Sequence, residues 1–268
     1  MIKIGEKING SIPSVAKAIE EKNADWIKDL AKRQTDAGAD YIDVCASVPE
    51  DREVETLHWL IDLVQEVTDL PISVDSPSPD SILGAMKFCN KPGIINSVSG
   101  EGDKIAKIFP VIADTKWQCI CLLNGNKGIP KNPQDRLEVF DQIMAEAEKY
   151  GIKPERLHID PLVEMLCTTD DAMANLSYIM KTIKDKYPTI HITGAISNIS
   201  FNLPYRKIVN LCFLVLSMNA GLDSAIFDPT NRDMMGAVYA TEALLGMDDY
   251  CMEYISAYRE DLFGVQKK

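Results

Sequence analysis

Eight short apolar runs recur along the chain. Each ends in or beside a carboxylate or amide, and each gives way to a longer stretch with helical spacing. The runs are 2–5, 41–45, 72–75, 94–96, 119–123, 157–160, 190–196 and 224–228. The stretches between them are 15–21, 26–37, 53–67, 81–89, 103–113, 134–150, 172–186 and 205–218, with 232–245 and 249–262 closing the chain. In 53–67, Leu57, Leu60, Ile61 and Val64 stand at i, i+3, i+4 and i+7, the stripe of a helix that buries one face. Eight strands alternating with helices in 268 residues match a (β/α)8 barrel, which takes roughly 250. A doubly wound open sheet is expected to carry an early glycine-rich phosphate turn, and no Gly-x-Gly-x-x-Gly occurs. No linker or low-complexity segment divides the chain, so the fold expected is α/β, a single TIM-barrel domain over 1–268.

In such a barrel the site lies at the C-terminal ends of the strands. The residues there are Glu6, Asp43, Asp75, Asn96, Asn124, Asp160, Asn198 and Asp228, all carboxylates or amides. The stretch 190–202 shows the pattern most sharply: an apolar run empties into Ser197, Asn198, Ser200 and Asn202, and Pro204 is expected to open the next helix. Loop solvation explains any one of these residues, whereas eight in register predict a polar, acidic cavity. Gly-x-Ser-x-Gly, a paired Cys and His, and a strand-end Schiff-base Lys are all missing from the sequence. Carboxylates beside amides suit a ligand with several N–H donors and a ring carbonyl, such as a fused pyrimidine. A metal cluster and a glycosidase pair of acids also satisfy the spacing.

Charge and cysteine narrow the partners. A formal net charge of −12 argues against nucleic acid and anionic membranes, which select clustered Lys and Arg. No apolar run approaches the roughly 20 residues of a membrane span, and the first residues are too short and charged for a secretory signal. The seven cysteines are odd in number and irregularly spaced, as expected in a reducing, cytoplasmic setting. Cys119 and Cys121 share one face of a strand and read as packing thiols, and the three scattered histidines form no zinc motif. No bound metal is expected.

At these residues the sequence resembles the pterin-binding methyltransferases, above all the methyltetrahydrofolate:corrinoid/iron–sulfur protein methyltransferases. The similar stretches are Ile4-Gly5-Glu6-Lys7-Ile8-Asn9-Gly10, Val74-Asp75-Ser76, Ile94-Ile95-Asn96-Ser97 and Gly128-Ile129-Pro130-Lys131, then Ile159-Asp160-Pro161-Leu162, Ser197-Asn198-Ile199-Ser200 and Gly221-Leu222-Asp223-Ser224-Ala225-Ile226. The resemblance implies a TIM barrel, a homodimer, tetrahydrofolate or methyltetrahydrofolate as substrate, and a corrinoid (cobalamin), free or supplied by a partner protein. It implies that Asp75, Asn96 and Asp160 hold the pterin ring and that Ser197 and Asn198 lie beside it, with Asn198 at N5. It extends the folate contacts to Asn202, Arg206 and Lys184, with Glu6 and Asp43 in the same pocket. Two positions depart from the family pattern. Cys45 stands where an amide is usual, and Asn202 stands where close relatives carry Gln.

The activity implied is methyl transfer between folate N5 and corrinoid cobalt, in either direction, with Asn198 as the catalytic contact. No Asp-x-His-x-x-Gly is present, so the corrinoid is expected from outside the chain, with 125–132 and 201–206 as the docking rim. Alternatives are a folate-binding subunit without catalysis, a dihydropteroate-synthase-like enzyme lacking its basic signature, and a metal-dependent lyase.

Overall fold

The computed structural model describes residues 1–169 and 171–266. Eight parallel strands alternate with helices. The strands are β1 (Ile2–Asn9), β2 (Tyr41–Cys45), β3 (Ile72–Asp75), β4 (Ile94–Gly100), β5 (Gln118–Gly125), β6 (Leu157–Asp160), β7 (His191–Ile192) and β8 (Ser224–Phe227). The helices are α1 (Pro13–Glu20), α2 (Ala24–Asp36), α3 (Glu50–Gln65), α4 (Pro79–Met86), α5 (Lys104–Ile112), α6 (Pro133–Lys149), α7 (Ala172–Lys186), α8 (Arg206–Asn219), α9 (Arg232–Leu244) and α10 (Met252–Arg259). The strand order is β7-β6-β5-β4-β3-β2-β1-β8. Across the remaining seam, the Asp223 and Ile226 amides donate to the carbonyls of Ile192 (3.3 Å) and Gly194 (3.0 Å). These bonds draw the sheet into a barrel, as the alternation predicts.

Strand alternation creates two apolar regions. One face of each strand packs on the helices, as Cys119, Cys121 and Leu123 do in β5. The other face points inward, where Ile4, Ile94 and Ile120 pack with Leu122 and Ile226. Polar groups also occupy the interior near the strand starts, where His158 bonds Ser224 Oγ (3.0 Å) and Gln118 Oε1 (2.5 Å) through its two ring nitrogens. Burial holds the His158 imidazole neutral, with its pKa pushed down to about 3. Gly10 follows β1 because a Cβ there would stand 2.0 Å from the Ala46 carbonyl oxygen.

Several boundaries differ from expectation. The run 190–196 forms only the two-residue β7, then bends into a 3-10 turn, Ile196–Ser200. Helix α8 begins at Arg206 rather than Pro204, because Tyr205 takes a left-handed φ of 49°. Strands β1, β4 and β5 run past their apolar cores, and β1 does so with a register shift between Gly5 and Ile8. None of the described helices is long and apolar enough to cross a membrane.

Candidate active site

The C-terminal strand ends surround a cavity of about 1130 Å³. Glu6 (β1), Asp43 (β2), Asp75 (β3), Asn96 (β4), Asn124 (β5) and Asp160 (β6) line its floor and walls, and Ser197 and Asn198 enter from the turn after β7. The alternation explains this convergence, since every second residue of a strand faces the interior.

Two of these groups are tied together. Asp43 is 2% exposed and accepts hydrogen bonds at one oxygen from Ser73 Oγ (2.6 Å) and Asn96 Nδ2 (3.1 Å). With one N–H donated to Asp43, Asn96 keeps its second N–H and its carbonyl oxygen for other partners. Asp160 accepts from the Leu162 amide at 2.7 Å, which fixes the turn after β6.

The cavity keeps its acids protonated to unusually high pH. Burial, followed by the negative charge of Asp228, pushes Glu6 up to about 7. Burial raises Asp43 to about 6 against the hydrogen bonds from Ser73 and Asn96. Burial raises Asp160 to about 6 as well, and Asp75 rises through burial and the neighbouring charge of Asp43. Near neutrality the site therefore mixes proton donors and acceptors, as a heterocycle with both N–H and carbonyl edges requires. Among the described residues, no group of three or more His, Cys, Asp or Glu is arranged to hold a metal ion.

Arg206 lines the cavity and also braces the Asn198 turn. Its Nε donates to Ser200 Oγ (2.9 Å) and its Nη2 to the Ser197 carbonyl (2.7 Å), with the guanidinium over Phe201 at 4.6 Å.

Three expected residues fall outside the cavity lining, among them Asp228, whose carboxylate accepts from the Thr230 amide (3.0 Å) and Oγ1 (2.6 Å). Lys184 lies at the opposite end of the barrel. Its Nζ donates to the Ile190 carbonyl (2.6 Å) and the Asp223 carboxylate (2.7 Å), groups that precede β7 and β8. The helix carrying it runs antiparallel to the strands, so its last turn returns to the strand starts. Asn202 takes a left-handed φ of 63°, is exposed, and turns its amide toward Met165 Sδ at 3.7 Å. Cys45 is buried against Ser47 Oγ at 3.2 Å, and burial with the nearby Asp75 charge raises its thiol.

Sequence reasoning passed over Arg136, which is 4% exposed. From α6 its Nε donates to the Pro130 carbonyl (3.2 Å) and its Nη1 to those of Pro161 (2.7 Å) and Leu162 (3.1 Å), while Nη2 pairs with Glu164. One guanidinium thus joins the loops after β5 and β6. The available signal was an arginine in the first turn of a helix, where a cation opposes the helix dipole.

Several known proteins resemble this chain. The family model described as "Pterin binding enzyme" matches residues 6–228. A methylcorrinoid:tetrahydrofolate methyltransferase from Eubacterium limosum is 46% identical over the full length of both chains. The methionine synthase of Mycobacterium leprae is 26% identical over 84% of this chain, a match to one fifth (20%) of that longer protein. Dihydropteroate synthase from Xanthomonas albilineans, solved with 7,8-dihydropteroate, superposes with a TM-score of 0.70 at 15% identity, covering 91% of this chain and 93% of that one; this likeness concerns the fold alone. By the family match and the full-length relative, the chain belongs to the pterin-binding enzymes.

Proposed function

We propose that this enzyme transfers a methyl group between N5 of methyltetrahydrofolate and the cobalt of a corrinoid. The observation that carries the reading is the convergence of Asp75, Asn96, Asp160 and Asn198 on one cavity at the strand ends. The relative from Eubacterium limosum, identical at 46% over its full length, supports the same chemistry.

In this reading Asp75, Asn96 and Asp160 hold the pterin by its N–H and carbonyl edges, and Asn198 faces N5. An amine anion is a poor leaving group, so transfer requires positive charge to develop on N5. The Asn198 amide meets that charge with a hydrogen bond that strengthens as it forms, and such differential stabilisation lowers the barrier. The proton reaches N5 through water or the adjacent network, and Glu6, whose pKa is raised to about 7, lines the same cavity. Arg206 contributes by fixing the turn that carries Asn198.

The corrinoid reaches the cavity mouth from outside the chain, on a partner protein or free. A homodimer and a reducing, cytoplasmic setting belong to the same proposal. Light scattering tests the dimer.

The test of function is direct. Methylcobalamin with tetrahydrofolate, and cob(I)alamin with methyltetrahydrofolate, are mixed with catalytic enzyme and followed at the cobalt absorbance bands. Turnover is expected in at least one mixture. Asn198→Ala should slow it by about 10²-fold, the scale for one lost transition-state hydrogen bond, with a smaller loss of folate binding. An unchanged rate removes Asn198 from the mechanism.

A further inference from the structure

Among the described residues, five buried side-chain nitrogen or oxygen atoms have no hydrogen-bond partner. Two of them, Asn124 Oδ1 and Asn210 Oδ1, belong to residues that line the cavity. A shielded acceptor with no donor is costly, so protein interiors rarely keep one without use.

The position of Asn124 gives it a use. Ile120 and Leu122 point into the barrel, and the two-residue period of a strand places Asn124 in line with them, one layer nearer the mouth. Leu122 is in register with Asp160 on β6, so Asn124 stands one layer above Asp160. β5 lies between β4 and β6, so the amide sits between Asn96 and Asp160 on the arc of the wall. An amide exchanges its two ends by rotation about its last side-chain bond, and either end can then face the cavity.

We infer that Asn124 is a further pterin-contacting residue, its carbonyl oxygen accepting a hydrogen bond from an N–H on the edge of the reduced ring that faces β5. This rests on the reading of the site as a folate pocket. It adds a contact from β5 to those expected from β3, β4 and β6. No protein donor competes for that oxygen, so it is available to the ligand.

Asn124→Leu separates this role from a structural one, because Leu has nearly the same shape and no polar atom. Tetrahydrofolate binding is measured anaerobically by calorimetry on the full chain, alongside the melting temperature without ligand. Asn124→Leu is expected to weaken binding by tenfold or more. Its melting temperature should stay level or rise, since no protein hydrogen bond is lost. Asn124→Asp, which keeps an acceptor in place, is expected to bind within about threefold of the wild type. Wild-type-like binding by Asn124→Leu overturns the inference and leaves the folate reading intact. So does a drop in melting temperature that accounts for the binding loss, and so does equal weakening by Leu and Asp. Absence of binding by the wild type overturns the folate reading itself, and this inference with it.

Discussion

At the scale of single residues, the cavity is defined by what burial does to its acids. Glu6 is the clearest case, with burial and Asp228 holding its pKa near 7 against an ordinary 4.5. Between those values the folded protein binds a proton that the unfolded chain has released. Stability therefore falls as pH rises from 4.5 to 7 and levels off above. Glu6→Gln removes this dependence. Thermal melts of the ligand-free protein should show the variant more stable than the wild type at pH 8 and level with it at pH 4.5. A constant difference across that range would show that Glu6 does not titrate in this window. The same burial explains why an apolar–polar pattern located these acids but left their protonation open, since a carboxylate at a strand end is solvated or shielded according to residues far along the chain.

Arg136 carries the corresponding argument for elements. Among the described residues the loops after β5 and β6 share no backbone hydrogen-bond ladder, and the fork of this arginine joins them by three carbonyl bonds and a pair with Glu164. Arg136→Met keeps the apolar stem and removes all the donors. It should cost about 3 kcal/mol in denaturant unfolding and weaken tetrahydrofolate binding, because Asp160 sits at the base of one of the two loops. Arg136→Lys should recover little, since a point charge cannot span carbonyls on two loops. Recovery of both properties by Lys would reduce the role of Arg136 to its charge. The elements themselves were largely legible in the sequence: 41–45, 72–75 and 157–160 are strands with the expected ends, and 172–186 is a helix with them. The exception, 190–196, failed for a physical reason. Gly194 and Ala195 turn toward β8 to close the barrel, with Ala195 bridging Ile226, and this ends β7 after two residues.

For the whole molecule, closure is the event on which the site depends, and Asp223 is the residue at the seam. Its carboxylate accepts from the Ile192 amide (2.8 Å), Lys184 Nζ (2.7 Å) and His191 Nδ1 (3.2 Å). Burial favours a raised pKa, but these hydrogen bonds prevail and hold the carboxyl below the usual range. A depressed carboxyl pKa contributes stability above the ordinary value and loses it as pH falls through the folded one. Asp223→Ala should therefore cost about 2 kcal/mol or more at pH 7, with a shrinking difference from wild type below about pH 4. Denaturant unfolding across pH 3–7 checks this, and a pH-independent difference would assign the loss to packing. By itself the sequence determined the order of strands and helices, the barrel they form, and the polar character of the strand ends, because periods of 2 and 3.6 residues are written in neighbouring side chains. Which polar residues meet was decided only by tertiary structure. Lys184 went to the far end, Asn202 to the rim, and Arg136 and the unpaired amide of Asn124 to the loops and wall of the mouth. Those distances exist only once the first strand and the last have closed on each other, and no local pattern encodes them.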